Sequence, residues 1–332
     1  LNLFLSRLYC FQSTPCRSPK SKGVILMDKV IFVGMGAVGM TFASQFLDSG
    51  CPVGFLCDES RKEKARARKF TVNGRPYAFQ VLTLSEVRGA PAFLFVAVKE
   101  YQLESALDLI QEVAGPETVV LSLLNGIDSE EIIAGRLGEK SVLPAFVSRM
   151  DSTREADGVV YSSPGQIVFG ERNGSLTARV ERVRTLLSKA GILHEASDQI
   201  MRKMWWKFMV NVGINQAGAI LKAPYGHFQG FSPCREVAFA AMREVIALAP
   251  FSGIELSEKD IEASVQMLKH FNPEGKNSML QDLESGRKTE VEIFAGKVCR
   301  LGEKAGVPTP VNRLFYNMLK TIEWQKEGAR KG

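Results

Sequence analysis

The stretch Lys29-Val30-Ile31-Phe32-Val33-Gly34-Met35-Gly36-Ala37-Val38-Gly39 decides the first half of the chain. Its first five residues read as a buried strand. Ala37 through Leu47 read as a helix that Gly50 ends. Between them stands Gly-x-Gly-x-x-Gly. In this strand–turn–helix setting the first glycine permits the tight turn. The second leaves room for a pyrophosphate, and the third lets helix and strand pack closely. Free amides at the helix N-terminus then face the phosphates. Gly34, Met35, Gly36, Ala37, Val38 and Gly39 are therefore candidate residues for holding a dinucleotide.

Further apolar runs follow, and their ends carry polar residues. Pro52 to Cys57 reads as a strand ending at Asp58. An acid there accepts hydrogen bonds from the adenosine ribose and repels a 2′-phosphate, which favours NADH. Arg61 and Lys62 are close enough to pair with Asp58 or to clamp a 2′-phosphate. They open a basic cluster that continues through Lys64, Arg66, Arg68 and Lys69. It reads as a solvated helix face or as a contribution to phosphate binding. Phe93 to Val98 is a strand ending at Lys99, and Thr118 to Leu124 is one ending at Asn125-Gly126. Strand ends face the ligand crevice in open α/β sheets, so Lys99 and Asn125 are candidates on the cofactor side. Residues 142–147 are expected to continue the sheet. Gly158 to Gly170 reads as paired short strands around Ser163-Pro164-Gly165.

The 332 residues suit two domains. The composition is 45% hydrophobic, 9% aromatic and 23% charged, which excludes disordered and fibrous classes. A net charge of +6 admits anionic ligands. No aromatic-basic module or recognition helix points to nucleic acid. The six cysteines form no CxxC pair, and the histidines at 194, 227 and 270 are dispersed. No metal site is expected, and a reducing cytoplasm fits. No apolar run approaches membrane-spanning length. Residues 1–26 hold Arg7, Arg17, Lys20 and Lys22 but no acid, and read as a disordered tail or an over-extended start. The expected division is a dinucleotide-binding domain over 27–190 and a helical substrate and catalytic domain over 191–332.

In the second half the spacing predicts helices over 198–221, 233–249, 256–270, 288–305 and 310–323. Lys207, Asn211 and Asn215 recur every four residues among apolar neighbours, on one face of a largely buried helix. One ammonium and two amides in a row suit an oxygen-rich anionic substrate, although a solvated stripe would show the same pattern. Ser278 is a candidate helix cap or substrate contact, and Glu290 a first-turn acid or site residue. The apolar helices offer a surface for a homodimer.

Taken together, these motifs resemble the ketopantoate reductase (2-dehydropantoate 2-reductase) family from about Met27 to about Lys320. The resemblance lies in Gly34-x-Gly36-x-x-Gly39, Val98-Lys99 followed by Gln102, and Asn125-Gly126. It continues in Lys207-x-x-x-Asn211-x-x-x-Asn215, Ser278-Met279-Leu280-Gln281-Asp282 and Thr289-Glu290. It implies an α/β Rossmann-like N-terminal domain followed by an all-helical domain, with the site between them. The implied reaction is NADPH-dependent reduction of 2-dehydropantoate to (R)-pantoate. By resemblance Lys207 is the catalytic lysine. Asn211, Asn215 and Ser278 bind substrate, Glu290 engages its hydroxyl, and Lys99 and Asn125 lie on the cofactor and active-site side. Many members carry Arg where Asp58 stands, and a Ser where Asn277 precedes Ser278. The family expectation is therefore NADPH, whereas Asp58 argues for NADH. Another short branched 2-keto acid, or dinucleotide sensing without turnover, are the competing readings.

Overall fold

The computed structural model describes residues 29–155 and 158–329; the expectation for residues 1–26 lies outside them. The first half is an α/β domain built on a five-stranded parallel sheet. Its strands are β1 (Val30–Val33), β2 (Val53–Leu56), β5 (Gln80–Leu82), β6 (Phe93–Val96) and β7 (Val119–Ser122), ordered β5-β2-β1-β6-β7. Strands β1, β2, β6 and β7 are buried throughout because both faces are covered, while edge strand β5 starts at exposed Gln80. Phe32, Phe55 and Phe95 point to one side, against helix α1 (Ala37–Asp48). Phe32 and Phe95 stack with centroids 4.9 Å apart. Ile31, Val33, Leu94 and Val96 point to the other side, where α3 (Leu103–Val113) presents Leu107 and Ile110 and α4 (Ser129–Leu137) presents Ile133. Truncating one of these buried rings to Ala costs about 3–5 kcal/mol. Helix α2 (Glu59–Arg66) joins β2 to the region of the second sheet.

The second sheet covers the α1 side of the first. It runs β10-β9-β3-β4, with β8 paired to β9: β3 (Phe70–Val72), β4 (Arg75–Tyr77), β8 (Ala145–Arg154), β9 (Gly158–Phe169) and β10 (His194–Ala196). Helix α5 (Ala178–Lys189) packs Val180, Val183 and Leu187 into the shared core. Two expectations are corrected here. Residues 142–147 do not extend the first sheet: only Val142 bridges Val120, and from Ala145 the chain enters the second sheet. Ser163-Pro164-Gly165 is not a hairpin turn but lies inside the long strand β9. Gly165 takes φ +77° across from Arg149 at φ +57°, so the glycine's left-handed freedom is spent on a kink in the ladder. The second sheet continues past residue 190, where β10 pairs in parallel with β9.

From Ile200 the chain is helical. The elements are α6 (Ile200–Val210), α7 (Gln216–Leu221), α8 (Tyr225–Gly230), α9 (Ser232–Leu248), α10 (Glu258–Leu268), α11 (Ser278–Glu284), α12 (Lys297–Ala305) and α13 (Pro310–Ala329). Two expected helices are interrupted by π turns. Asn211–Asn215 joins α6 to α7, and Glu292–Gly296 leads into α12, with residues 288–291 outside the helix. A π turn disturbs the i→i−4 ladder and leaves backbone groups to be satisfied otherwise. Gln216, fully buried, does this for both turns. Its amide donates to the Val212 carbonyl at 2.8 Å and accepts from the Ala295 N–H at 3.0 Å. No helix among the described residues is long and apolar enough to cross a membrane.

Candidate active site

The strand order reverses between β2 and β6 on either side of β1, which places a crevice at the carboxyl ends of these strands. The glycine turn lies there. Gly34 adopts φ +112°, and a Cβ on it would sit 2.5 Å from the Ala97 carbonyl. A Cβ on Gly39 would sit 2.1 Å from the Gly34 carbonyl, so helix and strand touch backbone to backbone. A Cβ on Gly36 meets only the Ala97 carbonyl, at 3.7 Å, and otherwise projects into open space. The middle glycine thus keeps a cradle open at the start of α1, whose first turn carries no acid to repel a phosphate. The residues present fit a dinucleotide.

Asp58 stands at the end of β2, where the ribose is expected, but its carboxylate already caps α2. It accepts from the Arg61 N–H at 3.0 Å and from the Ser60 hydroxyl, and pairs with the Arg61 guanidinium at 3.2 Å. The Ser60 hydrogen bond, with those from Arg61, holds its carboxyl below the usual range. Lys62 and Arg66 both engage Glu86, at 3.3 and 2.8 Å.

Opposite the turn, a chain of polar contacts joins the two halves. Lys207, in the last turn of α6, donates to Asn125 Oδ1 at 2.9 Å. Asn125 follows β7, at a turn that Gly126 permits with φ +92°. Its amide donates to Glu290 Oε2 at 2.9 Å. Glu290 Oε1 pairs with Lys99 at 3.3 Å, and Lys99 also binds Asp282 of α11 at 2.9 Å. Arg287 holds the other oxygen of Asp282 at 2.7 Å. Glu290 and Asp282 are buried, and the half-buried Lys99, Arg287 and Lys207 compensate their charge.

The two lysines in this chain differ. Desolvation lowers the Lys207 pKa to about 8, with Glu290 and Glu130 pulling the other way. At Lys99 burial also opposes the charge, but Glu290 and Asp282 outweigh it and the pKa is raised. Lys207 is therefore the member that can release a proton near neutral pH, while Lys99 stays charged. The Lys207 ammonium also lies over the Phe146 ring, 5.5 Å from its centroid.

Asn211 and Asn215 bound the π turn one and two windings beyond Lys207. Asn215 is buried and Asn211 half-buried, and among the described residues neither side chain makes a hydrogen bond. Their amides remain available to a ligand. Ser278 opens α11 and is exposed, but it is not the cap: Asn277 is, accepting from the Leu280 N–H at 3.0 Å. Asn277 Nδ2 is buried without a partner.

Comparison with known proteins shows the family. Residues 30–174 match the family described as ketopantoate reductase PanE/ApbA, and residues 199–323 match its C-terminal domain. The chain belongs to the ketopantoate reductase family. It is an oxidoreductase family, with a Rossmann-like domain followed by a mostly helical one. The chain is 31% identical to the 2-dehydropantoate 2-reductase of Archaeoglobus fulgidus over 299 residues, covering 90% of this chain and 98% of that protein. It is 26% identical to the same enzyme of Pyrococcus horikoshii, covering 91% and 100%. In fold it is similar to D-mandelate dehydrogenase solved with NADH and anilino(oxo)acetate, with a TM-score of 0.80, 23% identity, and coverage of 90% and 99%. A family ketopantoate reductase from Ralstonia eutropha JMP134 gives a TM-score of 0.76 at 24% identity, covering 90% and 99%.

Three further residues join the candidate site: Asp282, which ends the Ser278–Asp282 motif, and Arg287 and Glu130, which no local motif marks. Asp282 meets Lys99 across 183 positions, a pairing no local pattern reveals. Glu130 follows Asn125-Gly126 closely, yet only the packing buries it. It accepts from the Ser129 hydroxyl at 3.0 Å, its other oxygen has no partner, and burial raises its pKa to about 7.

Proposed function

We propose that this protein reduces the ketone of 2-dehydropantoate to (R)-pantoate with NADPH or NADH, and that Lys207 is the proton donor. The observation that carries the reading is the contact between Lys207 and Asn125, with desolvation lowering the lysine's pKa to about 8. A nicotinamide cofactor, held by Gly34 to Gly39 with Lys99 and Asn125 nearby, supplies the hydride when bound.

The protein's own groups account for the rest. Negative charge developing on the substrate oxygen is met by the Lys207 ammonium, which then gives up a proton to it. Asn125 fixes where that ammonium sits, and Glu290 fixes Asn125. Lys99 pairs with the other oxygen of Glu290 and keeps it aimed at Asn125. Asn211 and Asn215 offer donors to a carboxylate and a hydroxyl, and Ser278 a further hydroxyl at the exposed end of α11. Glu290 is also the acid that would engage a substrate hydroxyl.

The test is oxidation of NADPH and NADH measured side by side with 2-dehydropantoate, 2-ketoisovalerate and phenylglyoxylate. Preference for 2-dehydropantoate supports the reading. Greater kcat/KM with another keto acid reassigns the substrate. Cofactor binding with no turnover across the panel removes the enzymatic reading.

A further inference from the structure

Arg154, the last residue of β8, reaches out of the second sheet to the glycine turn. Its guanidinium donates to the carbonyl of Met35, the second residue of that turn, and lies 3.9 Å from Met40 Sδ in the first turns of α1. The side chain is half-buried. Among the described residues no carboxylate pairs with it. The charged groups that act on it are Arg68 and Arg287, both cations, and they add to burial in disfavouring its charge.

A guanidinium carries five N–H donors in a fixed fork. One peptide carbonyl and a thioether engage few of them. A partly desolvated guanidinium with unused donors is uncomfortable without an anion. The surroundings supply the place for one, since the amides at the start of α1 face the same turn. Arg154 contacts Met35 and Met40, not the end of β2 where Asp58, Ser60 and Arg61 stand. The anion it suits is thus at the pyrophosphate position, not at the adenosine 2′-position.

We propose that Arg154 is a cofactor-binding residue contributed by the second sheet, taking a pyrophosphate oxygen of the dinucleotide above the glycine turn. This rests on the dinucleotide reading given above. The fork closes the anion against the α1 amides, and donors left unused by the Met35 carbonyl are taken up by the ligand's oxygens. The same contact makes cofactor affinity depend on ionic strength.

Equilibrium titration of the full chain with NADPH, NADH and ADP-ribose tests this, in the wild type, Arg154→Gln and Arg154→Lys. ADP-ribose keeps the pyrophosphate and lacks the nicotinamide. Arg154→Gln is expected to raise Kd about tenfold or more for ADP-ribose and for the preferred dinucleotide alike. Its Kd should also depend less on salt than that of the wild type. Arg154→Lys should fall between the two, since it keeps the charge and loses the fork. Ligand-induced gains in melting temperature should shrink in the same order. A wild type that binds all three ligands while Arg154→Gln stays within twofold overturns this inference alone. So does a loss whose salt dependence parallels the wild type, which marks a structural role. A wild type that binds none of them overturns the dinucleotide reading and this one with it.

Discussion

Lys207 Nζ lies 2.9 Å from Asn125 Oδ1, joining a helix of the second half to a strand end of the first across 82 positions. The amide is used at both ends, because its Nδ2 donates to Glu290. Asn125→Ala cuts both contacts and leaves Lys207 without its guide. Turnover is expected to fall about tenfold to a hundredfold, the scale for a misplaced catalytic group. Steady-state kinetics with 2-dehydropantoate would show this in kcat. An effect confined to KM would place Asn125 in substrate binding instead.

The pH dependence follows from the lowered pKa of Lys207. A proton donor works in its protonated form, so kcat/KM should hold at neutral pH and decline as pH rises through about 8. Glu290 raises this pKa, so Glu290→Gln should move the alkaline limb to lower pH. A pH–rate series on both proteins measures it. A limb at the same pH in both would break the electrostatic link between Glu290 and Lys207.

Glu130 gives a stability prediction of opposite form. Its carboxyl titrates at about 7 when folded, against 4.5 for an ordinary Glu, because burial disfavours the charge. The folded state therefore holds this proton more tightly. The stability it contributes is complete below about pH 4.5 and is lost as pH rises through about 7, a loss on the order of 3 kcal/mol by pH 8. Glu130→Gln removes the titration. Urea unfolding at pH 5 and pH 8 should show a smaller drop in the variant than in the wild type, and equal drops would contradict the assignment.

At the end of β2, Asp58 has two roles that one substitution separates. Asp58→Arg removes the cap of α2, worth about 1 kcal/mol, and places a cation where a 2′-phosphate would lie. The ratio of kcat/KM for NADPH over NADH should rise at least tenfold, alongside a small fall in melting temperature. A lowered melting temperature with an unchanged ratio would leave Asp58 as a helix cap alone.

The parallel sheet and its glycine turn were legible because central buried strands are continuous apolar runs, the turn has a steric need for glycine at Gly34 and Gly39, and Gly36 leaves room for a pyrophosphate. The row Lys207, Asn211, Asn215 was legible from its spacing, but not the π turn between its last two members. That turn is stabilised by Gln216 and its bond to the Ala295 amide, a contact between distant segments. Ser163-Pro164-Gly165 misled because a glycine with positive φ serves a strand kink as well as a turn. The pairing of Lys99 with Asp282, and the approach of Arg154 to Met35, depend on how the second sheet and α11 pack, which local pattern does not encode.

The central claim is that Lys207 delivers the proton in 2-dehydropantoate reduction. Its most direct test compares the wild type with Lys207→Ala in NADPH and NADH oxidation with that substrate, together with cofactor Kd by titration. The account predicts a kcat lower by about a hundredfold or more, with Kd for the cofactor within twofold. Equal turnover in the two proteins, at equal cofactor affinity, would contradict it.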